Sequence, residues 1–121
     1  MNTEKLVELI TTTLNAKKAQ DVVKINVTEK TSLADYFVVA SGRTTTQVHA
    51  LAEHVEEAVE KNFGLYVRRK EGITDGRWAV LDYGDVIVHI FNDEQRLFYH
   101  LERLWSDGQN IEKYVEEVPE N

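Results

Sequence analysis

The sequence predicts a single mixed α/β domain, a five-stranded mixed sheet packed by helices. Three observations carry that prediction. Glu71 to Phe91, EGITDGRWAVLDYGDVIVHIF, holds two strand-length apolar runs, Trp78 to Tyr83 and Val86 to Phe91, with the turn formers Gly84 and Asp85 between them, which is a hairpin signal. Three segments carry apolar residues at helical spacing. One of these helices lies between two strands and calls for a parallel crossover, whereas a hairpin is antiparallel, so the sheet is mixed.

Each element has its own justification. Thr3 to Lys18 sets Leu6, Leu9, Ile10 and Leu14 in one stripe and reads as the first helix. Val22 to Thr28 alternates, with Val23, Ile25 and Val27 on one side and Lys24 and Asn26 on the other, the pattern of a half-buried strand. Glu29 to Ala34 connects it to Asp35 to Ser41, DYFVVAS, a buried strand rich in β-branched and aromatic residues. Thr44 and Gln47 are spaced as a capping box; Val48, Leu51, Ala52, Val55 and Val59 then line one face, and Gly64 supplies the C-terminal stop. Leu65 to Lys70 is a further strand and Glu71 to Gly76 a polar loop leading into the hairpin. The second hairpin run is almost wholly apolar, as a central strand covered on both faces requires. Asn92 or Asp93 caps a last helix with Leu97, Phe98, Leu101, Leu104 and Trp105 as its stripe. Residues 106–121 form a peripheral tail in which Ile111, Tyr114 and Val115 dock a short extra turn and Glu116 to Asn121 fray.

At 121 residues the chain is expected to form one domain, without internal repeat or linker, and to bury roughly two thirds of its unfolded surface. It contains no Cys, which removes disulfides, thiolate metal sites and Cys nucleophiles together. The first ten residues lack a signal-peptide layout and no apolar run approaches the roughly 20 residues of a membrane span, so a cytoplasmic location is expected. The net charge of -7 repels a phosphate backbone and suits a basic partner protein, so direct nucleic-acid binding is not expected. The basic run Arg68, Arg69 and Lys70 reads first as a charged strand edge that discourages aggregation.

Enzymatic chemistry finds little support. SGRTTTQ, residues 41–47, resembles the Gly-Ser turn with which nucleotidyltransferases hold a triphosphate, but the next strand, LYVRRK, offers three cations where that chemistry needs magnesium-binding carboxylates. A nucleotide-binding or nucleotidyltransferase-like enzyme is therefore the alternative reading. Asp82 and Asp85 flank the hairpin turn, where Asp is a preferred structural residue. His49 and His54 are five apart, off the i, i+4 spacing of a helical metal pair, and no P-loop or nucleophile elbow is present. No cofactor is expected. Surface recognition remains, with Trp78, Leu81 and Tyr83 beside Arg77, Asp82 and Asp85 as an aromatic anchor ringed by polar groups. Alternation puts Trp78, Val80 and Asp82 on one face of the strand and Arg77, Ala79, Leu81 and Tyr83 on the other, so both sets are core only if both faces are covered. A module that uses this surface only to self-assemble is a further alternative.

Three stretches resemble the signatures of the ribosomal silencing factor family, RsfS or Iojap-like: Tyr36 to Gly42, YFVVASG; Gly76 to Phe91, GRWAVLDYGDVIVHIF; and Arg96 to Trp105, RLFYHLERLW. The resemblance implies a nucleotidyltransferase-like topology without the catalytic carboxylates, no enzymatic activity, and a homodimer. It also implies binding to the large ribosomal subunit through a basic ribosomal protein, large-subunit protein fourteen, that blocks joining of the small subunit and represses translation when nutrients are scarce. It places the partner contacts on Trp78, Leu81, Asp82, Tyr83 and Asp85, with Arg77, Arg69 and Lys70 as neighbours.

Overall fold

The computed structural model describes residues 2–92 and 104–114. Helix α1 spans Thr3–Ala16 and starts where the Asn2 side chain accepts the Lys5 N–H. It buries Leu6, Val7, Ile10, Thr11 and Leu14, the stripe that the helical spacing requires. Strand β1, Gln20–Asn26, opens with a bulge, because the register against β2, Tyr36–Gly42, shifts between Gln20 and Val23. Helix α2, Thr45–Phe63, is capped as its sequence predicts: Thr44 Oγ1 accepts the Gln47 N–H at 3.0 Å, and Gly64 ends the helix at φ 65°. The Gln47 side chain closes the box one residue earlier than the standard pattern, accepting the Arg43 N–H at 2.6 Å.

Strands β3, Arg69–Glu71, β4, Trp78–Asp82, β5, Val86–Asn92, and β6, Ile111–Lys113, complete a six-stranded sheet of order β3-β4-β5-β2-β1-β6. β2 and β5 are parallel at its centre and every other neighbour pair is antiparallel. Two expectations need correction. The strand expected over Leu65 to Lys70 pairs only from Arg69, because β4 runs out at Asp82 and the hairpin turns away; Leu65 and Val67 instead pack into the helix-side core. The extra turn expected at Ile111 is the sixth strand. A segment this short takes its conformation from its surroundings, and the free edge of β1 offers it unpaired backbone groups. The expected last helix falls mostly outside the described residues, of which Leu104 and Trp105 are helical, and the expected fraying beyond residue 115 lies outside them as well.

Both faces of the sheet are apolar. One packs against α1 and α2 through Val38, Ala40, Ala79, Leu81, Val88 and Ile90. The other gathers Val23, Ile25, Val27, Phe37, Val39 and Phe91, with Trp105 and Ile111 partly buried against them. Leu81 is fully buried on the helix side, whereas Tyr66 is 73 % exposed. Leu81→Ala is expected to lower unfolding free energy by about 2–5 kcal/mol and Tyr66→Ala by less than about 0.5 kcal/mol, read as midpoint shifts in urea at unchanged m.

Candidate functional site

The β4–β5 hairpin closes through a two-residue turn. Gly84 sits at φ 88°, Asp85 keeps an ordinary φ, and the Tyr83 N–H bonds Val86 O at 2.9 Å. Asp82 Oδ1 accepts the Gly84 N–H at 2.7 Å, which makes this carboxylate part of the turn. At the other end Gly72 approaches β4 so closely that a Cβ at its φ of 72° would lie 1.9 Å from the Trp78 carbonyl oxygen. The backbone that leads into Trp78 is thus fixed on both sides.

Cross-strand pairing assigns the side chains. Trp78 pairs with Phe91, Val80 with His89 and Asp82 with Ile87, while on β3 Arg69 pairs with Asp82 and Glu71 with Val80. Directly paired residues point to the same side, so Arg69, Glu71, Trp78, Val80 and Asp82 share the face away from α1 and α2. Trp78 is 40 % exposed there, and Glu71 and, toward the turn end of β4, Arg69 are exposed on the same face. The indole stacks on Phe91 at 5.3 Å and 24° and lies 5.9 Å from the imidazole of His89. Phe37 meets His89 edge-on at 5.0 Å and Trp105 at 5.2 Å. Trp78 is therefore the solvent-facing end of an aromatic row that crosses β4, β5 and β2.

His89 is 7 % exposed. Its Nδ1 accepts the Trp78 Nε1–H at 3.1 Å, and burial pulls its pKa down from 6.5 to about 4. The ring is neutral at physiological pH, with its proton on Nε2, because two N–H groups cannot face each other across the Trp78 contact.

Several expected contact residues sit elsewhere. Leu81 is 0 % and Tyr83 7 % exposed on the helix side, so both are core and present no docking surface. Burial, then the nearby Glu56, raises the Tyr83 phenol above its usual range. Lys70 pairs with Leu81 across the ladder and so points to the helix side, where it meets Glu56 at 3.2 Å. Arg77 is exposed and its Nε lies 3.6 Å from Asp75 Oδ2; Asp85 is exposed at the turn, at the far end of β4 from Trp78. Of the charged residues on the face of Trp78, Glu71, opposite Val80, is nearer to it than Arg69 and Asp82, which pair with each other at the turn end of β4; Arg77 precedes Trp78 in the chain. His89 and Phe91 were missed by the sequence reading, although a two-residue turn at Gly84 and Asp85, counted back, pairs positions 78 with 91 and 80 with 89.

The turn at Ser41 to Gln47 is occupied by its own cap. Thr44 Oγ1 and the Gln47 side chain take the Gln47 and Arg43 N–H groups, and the Gln47 amide also donates to Lys18 O. Among the described residues no group of three His, Cys, Asp or Glu is placed to hold a metal ion, and no helix is long and apolar enough to cross a membrane.

The fold is a mixed-sheet α/β domain with an aromatic row on the sheet face away from its two capped helices. The whole chain, residues 1–121, matches the family described as "Ribosomal silencing factor during starvation". It is 34 % identical over 112 residues to the ribosomal silencing factor RsfS of Halalkalibacterium halodurans, covering 93 % of this chain and 95 % of that protein. A mouse protein named for mitochondrial assembly of the ribosomal large subunit is 28 % identical over 95 % of this chain, which spans 53 % of the mouse protein. A crystal structure of a Chromobacterium violaceum protein superposes with a TM-score of 0.83 at 31 % identity, covering 96 % of this chain and 95 % of the other. The chain belongs to the ribosomal silencing factor family.

The buried imidazole makes stability depend on pH. An unfolded chain protonates His89 below about 6.5, while the folded protein resists until about 4, so this contribution is complete above 6.5 and is lost as pH falls to 4. Relative to a folded His89→Leu variant, the protein is expected to lose roughly 2 kcal/mol of unfolding free energy between pH 7 and pH 5, measured by urea titration at both.

Proposed function

We propose that this protein binds the large ribosomal subunit through the outer face of β3 and β4 and keeps the small subunit from joining by occupying the intersubunit surface. Family membership supports the ribosomal assignment, and the name of the mouse relative points to the large subunit. The observation that carries the choice of face is Trp78, a large aromatic side chain 40 % exposed while its stacking partner Phe91 is 1 % exposed. A half-exposed aromatic on a sheet strand, with exposed Arg77 next to it in the chain, Glu71 opposite Val80 and the Arg69–Asp82 pair further along the same face, has the composition of an interface anchor with a polar rim.

The net charge of -7 favours a basic ribosomal protein over bare RNA as the contact, and large-subunit protein fourteen is the partner proposed. No catalytic step is required: an interface of ordinary size, on the order of 800 Å² per partner, blocks subunit joining by occupancy and so damps translation when nutrients are limiting. In this reading the factor acts in the cytoplasm as a homodimer and needs no cofactor. Arg77 next to Trp78, Arg69 and Asp82 further along the same face, and Asp85 at the turn serve as rim contacts, and Lys70, turned toward Glu56, contributes little.

The test is co-sedimentation with isolated large subunits. Trp78→Ala is expected to weaken binding by roughly thirtyfold, about 2 kcal/mol, with circular dichroism unchanged, while Lys70→Ala stays within about threefold of the natural protein. Undiminished binding by a folded Trp78→Ala protein would move the docking surface elsewhere; loss of dimer with unchanged ribosome binding would assign this face to self-assembly.

A further inference from the structure

Trp78 does not stand alone on its face. Its indole N–H is directed inward, from Nε1 to His89 Nδ1 at 3.1 Å, and its ring lies on Phe91. Beyond its ring packing on Phe37 and Phe91, His89 has one polar contact among the described residues, the bond from Trp78: Nε2, which must carry the proton, is buried there without a hydrogen-bond partner. Leaving a donor unsatisfied in the interior is unfavourable, so an apolar side chain at this point on β5 would make the better core residue. An imidazole there makes physical sense through what its other nitrogen does for Trp78.

We infer that His89 is a positioning residue for docking: it accepts the indole N–H, pins the ring against Phe91, and leaves only the ring's carbon surface for the partner. This rests on the reading of the outer β3–β4 face as the docking face. The consequence concerns what meets Trp78. A donor already used inward gives the partner nothing to accept, so Trp78 selects an aliphatic side chain or the stem and charge of a Lys or Arg laid on the ring, not a carbonyl or carboxylate. On this face Arg69 stands across from Asp82 at the turn end, whereas Glu71, opposite Val80, is nearer the ring and favours a cation there, and a basic partner supplies such side chains readily. Pinning also contributes by preorganisation, because a ring already held in one position loses less freedom when it is covered.

The test combines the free protein with the ribosome-bound one. In the free protein, the Trp78 indole ¹H–¹⁵N resonance, assigned by its absence in Trp78→Phe, is expected to shift and its proton to exchange faster in His89→Leu. His89→Asn, whose Oδ1 falls near the position of Nδ1, is expected to restore both. Against large subunits, His89→Leu is expected to bind about five- to tenfold more weakly and His89→Asn within about threefold of the natural protein. In a Trp78→Phe background, which has no donor to hold, adding His89→Leu is expected to change binding by less than about twofold.

The outcomes separate the two ideas. If Trp78→Ala abolishes binding while His89→Leu binds as the natural protein does, the docking face stands and the positioning role is overturned. An equal cost of His89→Leu in the natural and Trp78→Phe backgrounds also overturns it, since His89 then acts through general packing. If Trp78→Ala itself binds normally, the docking reading fails and the positioning role with it.

Discussion

The two-residue turn at Gly84 and Asp85 sets the register on which the rest of the surface depends. It pairs Trp78 with Phe91 and Val80 with His89, and it turns Leu81 and Tyr83 toward α1 and α2. A slip of one residue would exchange the two faces of β4, placing Leu81 in solvent and Trp78 beneath the helices. The turn is held by a glycine at φ 88°, by the Asp82 carboxylate on the Gly84 N–H, and by the parallel pairing of β5 with β2 behind it. The turn conformation and the Asp82 bond oppose that slip, while the pairing with β2 holds β5 in place.

A rigid sheet that exposes one large aromatic ring accepts a cost in free solution, because apolar area stays in water that packing would otherwise remove. The aromatic row limits that cost: Phe91 covers one side of the indole and His89 takes its polar atom. What remains exposed is 40 % of the residue, small enough to be tolerated in a charged surface. The charges around it divide by face. Lys70 and Glu56 are paired on the helix side, while Arg69 and Asp82 lie on the face of Trp78. In the docking proposed for this face, charge tunes which partner approaches, and the ring determines how firmly it is held.

Much of the architecture was legible because it is written in short-range chemistry. The α2 stripe, its Thr44 cap and its Gly64 stop are local relations within a few residues of one another. The hairpin was legible for the same reason. Residues 65–68 were not, since Leu65 and Val67 alternate like a strand whether or not a partner strand extends far enough to pair with them. Ile111 to Lys113 were missed because three residues hold too little pattern to distinguish a turn from an edge strand; the open edge of β1, far away in sequence, decides. Within the site, alternation correctly separated Trp78 from Leu81, but the signature alone grouped them.

The α/β class, the hairpin and its pairing, the capped second helix and, through three signatures, the family are all written in the chain itself. These follow from periodicity and turn chemistry, which act between near neighbours. Which side of β4 meets water, that Lys70 turns to Glu56, that a sixth strand closes the edge, and that His89 holds Trp78 were settled by the folded arrangement alone. Such choices depend on what covers each face of the sheet, and that cover comes from elements distant in the chain.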